Sequence, residues 1–240
     1  MTPENVKGFV PNVDPLRYRG QDANLDESAG ILLSYIPHGA RVLDVGCGTG
    51  SVSTLIRDHC NCEVTGLEPN GERAKVAQES GLRIVNDLFT ASVAEGLGKF
   101  DVIVFADVLE HLVNPGEALD LATTLLTPDG WVVASVPNVA HWTVRLDLLF
   151  GRFDYRELGI MDATHLRWFT REALEKLFRT SGLNIVQYRG SAGLWMSEYS
   201  QRRPWKWISR ERRQRLVRSG LQYWPGLFAC QHVVKASPER

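Results

Sequence analysis

Long apolar runs are missing from this chain. No stretch of its 240 residues approaches the roughly 20 consecutive apolar residues that a membrane span needs. The opening residues, Met1-Thr-Pro-Glu-Asn-Val-Lys7, hold no apolar core of the kind a secretory signal carries. Cysteine is scarce as well. Cys47, Cys60, Cys62 and Cys230 fit neither a disulfide framework nor a zinc spacing. These absences give the expectation of a cytoplasmic protein with free thiols. An excess of charge is also lacking. A net charge of −1 gives no global pull toward nucleic acid, so no nucleic-acid partner is expected. No carboxylate–histidine spacing demands a metal ion, and none is expected. The hydrophobic fraction of 44% is enough for a sizeable core, and the length suits a single domain with insertions.

One stretch organises the rest: Arg41-Val-Leu-Asp-Val-Gly-Cys-Gly-Thr-Gly50. Val42, Leu43 and Val45 are strand-formers. Gly46, Gly48 and Gly50 then allow a turn that side chains would obstruct. Beyond it, Ser51 to His59 carries Val52, Leu55 and Ile56 at helical spacing. The unit is strand, glycine loop, helix, a nucleotide-binding arrangement. A dinucleotide fingerprint reads G-x-G-x-x-G/A, with a third small residue for close packing. Here Ser51 holds that position and the run is G-x-G-x-G. Asp44, just before the first glycine, would repel a pyrophosphate but suits a ligand bearing an ammonium and a sulfonium. That ligand is S-adenosylmethionine (SAM). A Tyr-x-x-x-Lys proton relay is absent, which further disfavours an NAD-dependent oxidoreductase. The run Val42–Gly50 resembles the first motif of the class I SAM-dependent methyltransferases. The resemblance implies that Asp44, Gly46, Cys47, Gly48 and Gly50 contact SAM, with S-adenosylhomocysteine as product.

Ahead of that unit, residues 1–22 read as a polar arm with Pro3, Pro11 and Pro15, and Tyr18-Arg19 either folds back over the cofactor, as the resemblance implies, or forms a plain surface strap. Asn24 or Asp26 is expected to cap a helix carrying Leu25, Ala29, Leu32, Leu33 and Ile36. A second strand, Glu63–Glu68, puts Glu68 and the adjoining Pro69 at its end. Glu68 lies 22 positions beyond Gly46, where an acid can accept hydrogen bonds from both ribose hydroxyls. Asn70 caps the next helix and Gly81 ends it. Strand three is Leu82–Val85. In the resembled family an acid after it meets the adenine amino group, which implies Asp87, with the Leu88 amide beside the ring.

Strand four, Phe100–Phe105, is a near-continuous apolar run that reads as buried on both faces. Ala106-Asp-Val-Leu-Glu-His-Leu112 follows and resembles the family's fourth motif. Asp107 and Glu110 add negative potential near a cationic sulfonium, and His111 can close over the methionine moiety. Pro115 opens a helix, Thr127–Gly130 makes a turn, and Trp131–Val136 is strand five. Five strand–helix alternations argue a Rossmann-like, doubly wound α/β sheet with helices on both faces. Strand six is Leu183–Tyr188. The last strand, Leu227–Lys235, is implied by the resemblance to insert antiparallel between strands five and six, making seven. The tail from Ala236 is expected to fray.

Between Pro137 and Phe169 lie 33 residues before the next clear helix, which spans Thr170 to Gly182. Ordinary connections run roughly 2–6 residues, so this insertion has a functional reading as an acceptor lid. It combines aromatics with hydrogen-bonding groups: His141, Trp142, Tyr155, Asp162, His165 and Trp168 among them. That mixture suits a hydroxylated acceptor such as a sugar or glycan. The segments Pro137–Trp142, Gly151–Tyr155 and Thr164–Thr170 resemble a bacterial branch that includes MetW-like proteins and methyltransferases of polysaccharide, lipid and natural-product assembly. The resemblance spans about residues 24–190.

An alcohol acceptor must lose its proton, and the candidate general bases are His165 and His141, with Asp162 to orient an imidazole or take the proton itself. The expected activity is O-methylation. Alternatives are N-methylation of an amino-sugar or other amine, and a MetW-like accessory role beside another enzyme. From Ser200 to Arg218, seven Arg and one Lys face one Glu, a net of +7, so the remainder sums to −8. With Trp205, Trp207 and Ile208 interleaved, this basic segment is a candidate peripheral contact with an anionic membrane face or a phosphate-bearing acceptor. The oligomeric state is left open.

Overall fold

A computed structural model describes Asp14, Leu16, Gln21 and residues 23–201 and 205–239. Tyr18, Arg19 and most of the 1–22 arm lie outside the described residues, as do Arg202 and Arg203.

Seven strands form one sheet: β1 (Arg41–Val45), β2 (Glu63–Leu67), β3 (Arg83–Val85), β4 (Phe100–Ala106), β5 (Leu126–Pro137), β6 (Leu183–Gly190) and β7 (Gln231–Pro238). Their order is β3-β2-β1-β4-β5-β7-β6. β1 to β5 pair in parallel, and β7 runs antiparallel to both β5 and β6. Alternation along the strands explains the two covered faces. Val102 and Val104 of β4 join Val42, Ile31, Leu32 and Ile56, which places α1 (Ser28–Leu33) and α2 (Ser51–Cys60) on one side. Ile103 and Phe105 join Leu43, Ala94, Leu119, Ala122, Leu174 and Phe178, which places α4 (Ala91–Ala94), α5 (Pro115–Leu125) and α7 (Arg171–Thr180) on the other. Phe105 and Phe178 are fully buried, and truncating either to Ala would cost about 3–5 kcal/mol.

Local signals account for most boundaries. Asn70 accepts from the Arg73 amide at 3.1 Å to start α3 (Gly71–Glu79), whose Ala74 and Ala77 are buried. Thr170 likewise accepts from Ala173 at the start of α7. The first helix departs from expectation. It begins at Ser28, because Asn24 spends its side chain on the Asp26 amide (3.0 Å), and Leu25 is exposed. Residues 127–130 are not a free turn. β5 already pairs at Leu126, then shifts register opposite Phe100 and Val102.

The C-terminal boundaries differ as well. Leu227 and Phe228 belong to α10 (Pro225–Phe228), because Pro225 suits a helix's first turn. Ala236 does not fray; it is fully buried and pairs with Val132 and Ile185. The 137–169 connection contains a helix, α6 (Trp142–Leu149). Together with α8 (Ser197–Gln201) and α9 (Arg210–Tyr223) it closes on a third apolar cluster of Val144, Ile160, Met161, Met196, Tyr199 and Val217. The 137–169 connection and the basic segment thus share one core.

Candidate active site

The carboxyl ends of β1, β2 and β4 meet where an open α/β sheet binds its ligands. The loop after β1 has Gly46, Gly48 and Gly50 at φ of 70, 59 and 78°, the left-handed region that glycine enters without strain. The Gly46 and Cys47 amides donate to the Leu67 carbonyl at 2.7 and 3.1 Å. Cys47 packs against Gly66 of β2, where any Cβ would lie 2.6 Å from its sulfur. Its thiol is pushed upward by burial and by Asp44 and Glu68, so it stays protonated and serves packing.

Asp44 is buried. Its Oδ2 accepts from the Ser53 hydroxyl at 2.5 Å, while Oδ1 has no hydrogen-bond partner. Burial first, and the Glu68 charge after it, push its carboxyl up to about 7. Glu68 is also buried. Its Oε2 accepts from the Gly48 amide and its Oε1 from the Asn70 amide, both at 2.9 Å. Each oxygen keeps a lone pair for a further donor. Pro69 is exposed in the turn between them. At the outer strand end, Asp87 and Leu88 are exposed, and the Asp87 carboxylate takes the Leu88 amide at 2.7 Å.

Asp107 adopts a left-handed φ of 55°, which Asp tolerates better than most residues. Its Oδ1 accepts from Ser135 Oγ and Gln231 Nε2, each at 2.7 Å. Lost hydration raises its carboxyl above the usual range. The next residues form a 3₁₀ turn, Leu109–His111. Here Glu110 is only 1% exposed, and neither carboxylate oxygen has a hydrogen-bond partner. Burial, with Asp107 beside it, raises this carboxyl well above the usual range.

The 160s segment hangs on that turn. The Leu166 and Arg167 amides donate to the Glu110 carbonyl at 2.8 and 3.0 Å. Arg167 Nη2 donates to the Val113 carbonyl at 2.6 Å. This brings His165 Nε2 within 4.0 Å of Glu110 Oε1 and sets the His111 and His165 rings edge to face, 4.9 Å apart. Asp162 is buried and turns its Oδ1 to the Thr164 amide (2.9 Å) and hydroxyl (2.6 Å). In that position it shapes the loop carrying His165.

His141 belongs to a different network. It is fully buried at the start of α6, with Nδ1 2.8 Å from Thr143 Oγ1 and Nε2 3.3 Å from Tyr199 Oη. Trp142 Nε1 donates to the same phenol at 3.2 Å. Burial lowers the His141 imidazole to about 4. Sequence reasoning gave Glu110 only a general electrostatic part and left out Ser135 and Gln231. The Leu-Glu-His run held the signal for Glu110. Nothing local announces Gln231, which arrives from β7.

A mixed seven-stranded sheet with this strand order, built around an acidic glycine loop, defines a class I SAM-dependent methyltransferase. Residues 20–188 match the family model described as a methyltransferase domain, and the chain belongs to that family. Among its relatives, the ubiquinone biosynthesis O-methyltransferase of Burkholderia orbicola (strain MC0-3) is 27% identical over 158 residues, 63% of this chain and 68% of that protein. The enzyme of the same name from Burkholderia thailandensis is 26% identical over 185 residues, 75% of each chain. The CcbJ methyltransferase from Streptomyces caelestis has a similar fold, with a TM-score of 0.58 at 16% identity over 93% of this chain and 94% of that one.

The residues present fit SAM. Asp44 Oδ1 is a buried acceptor without a donor, and a Cβ at Gly48 would meet nothing within 4 Å, so the loop leaves open space above it. Among the described residues no helix is long and apolar enough to cross a membrane.

Proposed function

We propose that this methyltransferase acts on a hydroxyl of a ring-bearing small molecule, sugar or glycan, seated between the carboxyl end of β4 and the 137–169 segment. The observation that carries this reading is the buried Glu110 carboxylate facing His165 and His111 at that junction. A second feature supports a ring. Phe153, Tyr155 and Trp168 form a cluster with centroids 5.8–6.1 Å apart, and the Trp168 Nε1 is buried without a hydrogen-bond partner. The Burkholderia relatives, O-methyltransferases of ubiquinone biosynthesis by name, point to an oxygen acceptor as well.

Placement supports the following roles. Asp44 and the Gly46–Gly50 loop, with Cys47 packed beneath, would hold the amino-acid end of SAM. Glu68 and Pro69 would hold the ribose, and Asp87 with Leu88 the adenine. Asp107 and His111 would stand beside the sulfonium. When bound, SAM supplies an activated methyl carbon for in-line displacement. The protein then has to align the acceptor oxygen and take up its proton charge at the Glu110–His165 junction, with Asp162 fixing the loop. Proton handling of this kind typically contributes 10²–10⁴-fold. His141, neutral and enclosed, is assigned to holding α6 against Tyr199.

Residues 1–240 are read as one domain working on the cytoplasmic side, with the 200–218 segment touching an anionic membrane face or a phosphate on the acceptor. A screen of phenolic, glycosidic and amine acceptors with methyl-labelled SAM tests the reading. Labelled methyl ethers are the expected products. Methylated amines would shift it to N-methylation, and SAM binding without turnover on any acceptor would favour an accessory role.

A further inference from the structure

The outer side of α6 carries the wrong residues for a surface helix. Thr143 and Val144 are buried and Asp147 is half-buried, so these three face the molecule, while Arg145, Leu146, Leu148 and Leu149 face out. A surface helix ordinarily shows charged and polar groups on that side. Here Leu149 and Phe150 are 77% and 66% exposed, and Leu146, Leu148 and Phe153 are exposed with them. Five large apolar side chains thus stand in water within residues 146–153. Single exposed apolar residues are ordinary, but a group of this kind marks an interaction surface.

The group is held in place by its backbone. α6 ends in a closed cap: Gly151 takes a left-handed φ of 68°, its amide donates to the Leu148 carbonyl, and the Arg152 amide donates to the Asp147 carbonyl, both at 2.9 Å. In such caps an apolar residue after the glycine frequently folds back onto the helix. Arg152 stands there instead and is exposed. Arg145 is exposed too, whereas Asp147, the one acid among residues 145–153, is paired with Arg156 at 3.5 Å. Asp154 and Glu157 come only past the apolar residues. The basic segment adjoins this helix. Trp142 at the start of α6 packs on Trp205 with ring centroids 5.7 Å apart, and Val144 shares a core cluster with Val217 of α9. At 1.5 Å per residue α6 is roughly 12 Å long, so its tip and the basic face of α9 sit on one cap of the molecule.

We propose that the 146–153 tip inserts into the apolar layer of an anionic lipid bilayer while the basic residues of α9 meet its headgroups. Charge complementarity selects this occupant. A second copy meeting the same patch would set Arg145, Arg152 and the basic face against their own like, whereas a phosphate-bearing surface attracts all of them. The local structure suits shallow insertion. The cap already satisfies the backbone groups that would leave water, and Leu and Phe on one helical turn reach the boundary between headgroups and acyl chains. Stable anchoring generally takes two signals. Charge draws the chain to the surface, and the tip keeps it there. Phe153 also belongs to the aromatic cluster with Tyr155 and Trp168, so the docked face adjoins the acceptor seat. That consequence rests on the proposed function; the docking itself does not.

A polarity-sensitive fluorophore on Phe150→Cys tests the tip, because all four native thiols are buried and the new one is not. The labelled full chain is mixed with vesicles of phosphatidylglycerol in phosphatidylcholine. Its emission should move to the blue and be quenched by a spin label on the lipid chains. The same label on Glu79→Cys, exposed on α3, should do neither. Leu149→Ser with Phe150→Ser should weaken vesicle partitioning by roughly tenfold or more, with circular dichroism and S-adenosylhomocysteine binding unchanged. A label at 150 that stays in water on vesicle-bound protein would overturn the proposal, as would a wild-type chain that binds no anionic vesicle. A blue shift that needs no vesicles and grows with protein concentration, beside a dimer mass by light scattering, would give the patch to a second copy instead. If the double variant fails to fold, the labelled chain still decides. The tip and the basic face fail separately: Arg212→Glu with Arg215→Glu would abolish binding that the serine variant leaves intact if only the basic face docks, and the reverse would hold if only the tip does.

Discussion

Glu110 Oε1 stands 4.0 Å from His165 Nε2, and both side chains are almost wholly buried. The pair links the strand end of the sheet to the insertion over it. Turnover should therefore depend on His165 far more than cofactor binding does. His165→Ala is expected to lose 10²-fold or more in kcat and to keep its SAM affinity within a factor of two or so. Single-turnover transfer of labelled methyl beside calorimetry separates these quantities. Equal losses in both would place His165 in the cofactor pocket instead.

Glu68 holds the Gly48 amide and keeps lone pairs for hydroxyl donors, which is the basis of the ribose contact proposed for it. Glu68→Ala removes charge-assisted bonds of roughly 1.5–3 kcal/mol each, so SAM affinity should fall at least tenfold. Calorimetry with S-adenosylhomocysteine checks this without an acceptor, and undiminished affinity would remove Glu68 from the site.

The pH behaviour of Asp44 has a definite sign. Its folded carboxyl titrates near 7, above the ordinary value of 3.8. Between those values the folded chain holds more protons than the unfolded one, so this group's contribution to stability falls as pH rises through the window. Asp44→Asn should then raise the melting temperature more at pH 8 than at pH 5. Melting curves at the two pH values measure it, and an equal shift at both would show that the buried charge carries no cost.

His141 has the opposite sign. Burial lowers it from 6.5 to about 4, so its contribution is complete above 6.5 and is lost as pH falls toward 4. At about 1.4 kcal/mol per unit, the loss approaches about 3 kcal/mol. His141→Ala should lower stability at pH 7 and melt with a flatter pH dependence than wild type between 6.5 and 4. Denaturant unfolding across that range tests this, and a slope matching wild type would refute it.

Much of the fold was legible because its signals are local. The β4 run Phe100–Phe105, the three loop glycines, the Asn70 cap and Pro115 each act within a few residues. Of the candidate site, the Glu68 position and the Asp107–His111 run were visible for the same reason. What escaped depends on distance along the chain. Glu110 meets His165 only after the 160s segment folds back onto the β4 turn, so no spacing in the sequence could show the two side chains together. α6 was hidden by its composition. Leu146, Leu148, Leu149 and then Phe150 are exposed, so the helix lacks the polar outer face that marks a surface helix. Leu227 and Phe228 looked like strand residues, and only the turn opened by Pro225 makes them helical.

The basic segment also gains a direction from the structure. Arg213 is half-buried and donates to the Trp205 and Ile208 carbonyls at 3.2 Å, while Val217 and Gly220 face the core. Arg218 is tied to Asp26 at 2.6 Å. The outward face is therefore Arg212, Arg215 and Leu216, with exposed Trp207, Tyr223 and Trp224 around it. Indole rings beside guanidinium groups suit a headgroup layer, and each basic residue near an anionic surface adds about 1 kcal/mol, weakened by salt. Two such residues reversed in sign should cost more than the roughly tenfold that 1.4 kcal/mol represents. Arg212→Glu with Arg215→Glu is expected to abolish co-sedimentation with anionic vesicles at low salt, and wild type should lose it as salt rises. Arg213 is unsuitable for this test, since reversing it would break the contacts that hold the segment. Equal, salt-insensitive recovery of wild type on neutral and anionic vesicles would rule out the membrane contact. A raised acceptor KM in the double variant, at unchanged SAM affinity, would then assign the same face to a phosphate-bearing acceptor.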